Sequence, residues 1–68
     1  MNLREWLTDQ EITFTKFAEL VGCTRPAVSW WAMGRSRPSP LFVDEIKKLT
    51  RGQVTAEDHQ RVYLESRR

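Results

Sequence analysis

With 68 residues, 40% of them hydrophobic and 29% charged, and only three glycines and three prolines, the chain has the size of one domain and the composition of neither a fibrous nor a disordered protein. Its single cysteine, Cys23, excludes an internal disulfide, and no Cys/His cluster has metal-ligand spacing, so neither a zinc site nor any other cofactor is expected. The net charge is only +2.

Apolar residues recur at helical rather than alternating spacing throughout, which predicts an all-α protein. Asn2 is a good N-cap for a first helix that places Leu3, Trp6 and Leu7 on one face and runs out near Gln10. A second helix follows Thr13, with Phe14, Phe17, Ala18 and Val21 at i, i+3, i+4 and i+7, and Gly22 stops it in a left-handed conformation. Thr24 caps a third helix, whose first turn tolerates Pro26 because the amide lost there has no intrahelical partner. That helix ends at Gly34. The loop "RSRPSP" closes on Ser39 as N-cap and Pro40 at the first helical position. Helix four carries Phe42, Val43, Ile46 and Leu49 inward and ends near Thr50, and "RGQV" leads to Thr55. There Thr55 and Asp58 have the spacing of a capping box for a C-terminal helix over about 56–65, beyond which "ESRR" is expected to fray.

The pair Trp30–Trp31 requires a choice, because successive helix positions diverge by about 100° and both rings do not fit one small core. Ala27, Val28 and Trp31 share one face of the third helix, whereas Pro26, Ser29, Trp30 and Met33 fall at i, i+3, i+4 and i+7 on the other, with Arg25 at its edge. Trp31 is therefore the core tryptophan and Trp30 the outward one. Ala18 must be small where the third helix crosses the second, Gly22 permits the sharp turn, and Val28 and Trp31 lock the two helices together.

Charge is unevenly distributed. No acidic residue occurs from Leu20 to Val43, although Arg25, Arg35 and Arg37 lie in that window and Lys16 just before it, while the nine acids occupy the two ends. Two readings stand: a basic face for a polyanion, or chance in a short chain. No apolar run approaches the length of a membrane span, and "MNLREWLTDQ" puts charges where a signal peptide needs its apolar stretch, so a cytoplasmic protein is expected. No paired acid and base, activated nucleophile or glycine-rich phosphate loop points to an enzyme, and no small-molecule ligand is implied.

The stretch "FAELVGCTRPAVSWWAMGRSRPSP" followed by "IKKLTRGQVTAED" resembles the Cro/cI-type helix-turn-helix repressors of phages and bacteria, and more narrowly the small YdaS-like, Cro-related proteins. The likeness spans about residues 3–58. It departs at Trp30, where the family usually has a polar residue, at Cys23, where an aliphatic is common, and at His59, where a leucine often follows the Glu-Asp pair. The resemblance implies a compact five-helix, lambda-repressor-like domain over 1–68, with the helix-turn-helix at about 14–33 and helix 25–33 in the major groove of operator DNA. It puts Thr24, Arg25 and Pro26 at the start of that recognition helix, close to a phosphate and a base edge, with Arg25 suited to guanine O6 and N7. Ser29, Trp30 and Met33 face the groove, and Lys16, Arg35 and Arg37 clamp backbone phosphates.

Each residue also has a plainer reading. Arg25 is then a solvated helix-start charge, Arg35 and Arg37 loop solubilisers, Leu20 and Met33 rim hydrophobics, Cys23 a small buried residue and His59 a surface helix residue. Trp30 has three destinations: DNA, a dimer contact, or partial burial under "RSRPSP". The expected function is a transcriptional repressor binding a palindromic operator as a homodimer, formed in solution or only on DNA. Its dimer contact lies at Val62, Tyr63 and Leu64 or at Phe42 and the end of helix four. The competing expectation is an antitoxin or adaptor module that mainly holds another protein, which an exposed Trp30 would serve.

Overall fold

The computed structural model describes residues 1–67 and contains five helices with no strand among them: α1 (Leu3–Asp9), α2 (Phe14–Val21), α3 (Arg25–Met33), α4 (Pro40–Leu49) and α5 (Ala56–Glu65). Their order and bounds follow the local signals. Asn2 Oδ1 accepts from the Glu5 N–H at 2.8 Å while Glu5 reaches back to the Asn2 N–H, closing a capping box on α1. Thr13 caps α2 through the Lys16 N–H, and Gly22 (φ 86°) and Gly34 (φ 80°) end α2 and α3 in the left-handed region. Ser39 and Pro40 start α4 as expected, although the Ser39 side chain makes no capping hydrogen bond. At α5, Asp58 accepts from both the Thr55 N–H (2.9 Å) and the Thr55 hydroxyl (3.1 Å).

The helices fold into a globule with extents of 30 × 23 × 22 Å. Its core joins Leu3, Trp6 and Leu7 of α1, Phe17 and Ala18 of α2, Val28 and Trp31 of α3, Ile46 of α4 and Val54 of the α4–α5 connection. Trp6 meets Phe17 edge-on at 5.9 Å between centroids, and Trp31 tilts against Phe42 at 5.3 Å. α3 is the hub of the fold, packing on α2, α5 and α1. Ala18 is 4% exposed, consistent with its place under the close approach of α3 to α2.

Two connections rest on particular side chains. The buried Thr50 hydroxyl donates to the Ile46 carbonyl (2.8 Å) and accepts from the Val54 N–H (3.1 Å), fixing the exit from α4. Arg51 (φ 56°) and Gly52 (φ 80°) then reverse the chain. The N-terminal ammonium of Met1 donates to the Gln53 carbonyl and to Asp58, which also pairs with Arg61. Burial by itself would raise the Asp58 carboxyl; the hydrogen bonds from Thr55 and the ammonium outweigh it and hold the group below its ordinary value.

Two expectations require correction. His59 is not a surface residue: it is 5% exposed, and its Nε2 has no hydrogen-bond partner. α5 packs on α3, and His59 lies on the side of α5 that this packing buries. The segment after Leu64 does not fray through Arg67, since Glu65 is helical and the Ser66 hydroxyl donates to the Gly34 carbonyl at 2.7 Å; Arg68 lies outside the described residues. Phe42 is half-buried against Trp31, on the inward face expected for helix four, and Leu41 beside it is 72% exposed.

Candidate nucleic-acid interface

α2 and α3 are joined by the turn Gly22–Cys23–Thr24, in which the αL glycine redirects the chain and Thr24 starts the next helix. Cys23 is half-buried against the core, and burial pushes its thiol above the ordinary value, which suits a packing residue rather than a reactive one. Thr24 Oγ1 accepts from the Ala27 N–H and the Thr24 carbonyl from the Val28 N–H. Pro26 has no amide hydrogen, so the Arg25 N–H is the first-turn donor not used within α3.

The helical wheel separates the two tryptophans as the sequence requires. Trp31 is 7% exposed, and Trp30 keeps 49% of its surface open. Trp30 shares its outward face with Arg25 and Pro26, both exposed, with Met33 at 50%, and with half-buried Ser29, whose hydroxyl donates to Met33 Sδ at 3.6 Å. On α2, Lys16 and Leu20 are exposed at i and i+4, with Glu19 beside them as the nearest carboxylate in sequence. Arg35 follows the α3 C-cap; its N–H donates to the Trp30 carbonyl at 2.9 Å and its side chain is exposed.

Arg37 is placed differently from the rest. Its guanidinium lies 4.7 Å from the centroid of Tyr63 and donates to Gln60 Oε1, so α5 holds it rather than the outer face of α3. Arg67 sits 4.4 Å from the same ring, gathering two cations on one tyrosine. The sequence reading missed Tyr63 and Arg67 in this role; Tyr63 four residues before Arg67, on one face of a continued helix, was the available signal. Pro38 beside Arg37 is buried, and Trp30 keeps about half of its surface open.

Among the described residues, the ion pairs are Met1–Asp58, Lys48–Asp44 and Arg61–Asp58, and none involves Lys16, Arg25, Arg35 or Arg37. The outward surface of α2 and α3 thus combines positive charges that form no ion pair, with Glu19 beside Lys16, and exposed apolar side chains. A surface groove of about 870 Å³ between the start of α4 and α5 is lined by Arg37, Pro38, Val43, Lys47, Glu57 and His59 and mixes both signs of charge. No group of three or more His, Cys, Asp or Glu among the described residues is placed to hold a metal ion, and none of the described helices is long and apolar enough to cross a membrane. No family model, curated protein or solved structure matches the chain.

Proposed function

We propose that this chain is a sequence-specific DNA-binding regulator of the Cro-like repressor type, in which α2, the turn at Gly22–Thr24 and α3 act as a helix-turn-helix and α3 enters the major groove. The observation that carries this reading is the outward face of α3: exposed Arg25, Pro26, Trp30 and Met33 in a helix without a carboxylate, flanked by unpaired Lys16 and Arg35. Arg25 at the helix start reads a guanine through its two-pronged guanidinium, and Lys16 and Arg35 neutralise phosphates on either side. Thr24 and the free Arg25 amide add a weak phosphate donor at the positive end of the helix.

One α3 contacts only a few base pairs, so operator-grade affinity requires two copies on a palindrome with half-sites about 34 Å apart. Met1, Leu41 and Leu64, at 46%, 72% and 53% exposure, are the large exposed apolar residues outside the α2–α3 face available to such a homodimer.

The test is a selection from a random duplex library at near-physiological salt, run with wild type and Arg25→Ala. A palindrome whose guanine preference disappears in Arg25→Ala supports the reading, as does binding that weakens steeply with salt through counterion release. A wild type that enriches nothing refutes it and favours the second reading, a protein-holding module such as an antitoxin or adaptor, for which half-exposed Trp30 is the natural anchor.

A further inference from the structure

We infer that the outward face of α3 reads the C5-methyl groups of pyrimidines, with Trp30 and Met33 as the specificity-determining residues; this rests on the DNA-binding reading above. A helix that recognises bases by hydrogen bonding presents amides, guanidiniums and hydroxyls. Here the outward row is Arg25, Pro26, Ser29, Trp30 and Met33, and the Ser29 hydroxyl is already directed at the Met33 sulfur. That leaves Arg25 and the indole N–H as hydrogen-bonding groups beside two large apolar side chains, 49% and 50% exposed, three positions apart and so adjacent on the helix surface. Leu20 of α2, 49% exposed, adds a third apolar side chain to the α2–α3 pair.

The major groove offers one apolar feature on its base edges, the C5-methyl of thymine, which 5-methylcytosine shares. A broad indole face and a polarizable, adaptable thioether are suited to covering such methyls. Charge complementarity favours nucleic acid as the occupant, since Lys16, Arg25 and Arg35 form no ion pair among the described residues. The half-site that fits this surface pairs one guanine, under Arg25, with thymines under Trp30 and Met33.

The experiment begins with the site enriched from the random library and resynthesises it with deoxyuridine in place of thymidine, one position at a time, which deletes only a methyl group. Wild type is expected to lose about fourfold in affinity per contacted methyl. Trp30→Ala or Met33→Ala, whose folding is checked by thermal melting, is expected to lose that sensitivity at its own position while still binding duplex in a salt-dependent way. Where the enriched pyrimidine is cytosine, 5-methylation is expected to tighten wild-type binding. An enriched site whose affinity is unchanged by deoxyuridine at every thymine overturns this inference and leaves the DNA reading standing. A wild type that enriches no site refutes the DNA reading, and this inference with it.

Discussion

Gly34 does two jobs at once, and the other turn glycines separate them. At φ 80° any L side chain is strained, which costs about 1 kcal/mol or slightly more. A Cβ on Gly34 would also stand 2.6 Å from the Val62 carbonyl oxygen and 3.0 Å from both Val62 Cγ1 and Ser66 Oγ. The first of these is helix backbone, so α5 itself must move away from α3, and such overpacking adds about 1–3 kcal/mol. The same shift disturbs the Ser66 hydrogen bond to the Gly34 carbonyl. Gly22 (φ 86°) and Gly52 (φ 80°) have the same backbone constraint, but a Cβ there meets nothing within 4 Å. Replacing glycine by alanine also restricts the unfolded chain, an effect common to all three sites that cancels in the comparison. Gly34→Ala is therefore expected to cost about 2–4 kcal/mol, and Gly22→Ala and Gly52→Ala about 1 kcal/mol each. Each kcal/mol lowers the Tm of a domain this small by about 4–8 °C. The assay is thermal and urea unfolding of the three variants beside wild type; equal melting of Gly34→Ala and Gly22→Ala would refute the close approach of α5 to the end of α3.

Acidification tests the burial of His59. Burial holds its imidazole below the ordinary value against the opposing pull of Asp58, so the unfolded chain takes up the proton first. The stability contributed by neutral His59 is thus complete above about pH 6.5 and is lost as the pH falls through the lower folded value. Wild-type Tm is expected to drop between pH 7.5 and 5, and His59→Leu to drop less; parallel curves would mean that His59 is solvated. Asp58, also lowered, loses its contribution only below the ordinary carboxylate range and does not confound that interval. The tryptophans give the third comparison. Trp31→Ala is expected to cost about 3–5 kcal/mol in urea unfolding and Trp30→Ala less than about 1 kcal/mol, and the reverse order would invert the orientation of α3.

The sequence by itself determined where the helices begin and end, because caps act over three or four residues. Asn2, Thr13, Thr24, Gly22 and Gly34 need only their neighbours to do so. It also separated Trp30 from Trp31, since a fixed rotation per residue sends adjacent side chains to different faces once Val28 is committed to the core. The outward row of α3 was legible for the same reason, and the acid-free window around it from residue types alone. Tertiary structure decided what depends on which helix lies against which. Only the packing of α5 on α3 takes Arg37 to Tyr63 and Gln60, gives Gly34 its steric role and ties Ser66 to the α3 terminus. His59 was misread because helix periodicity in α5 is weakly marked by apolar residues, so the face it turns inward is fixed by its packing on α3, which is distant in sequence.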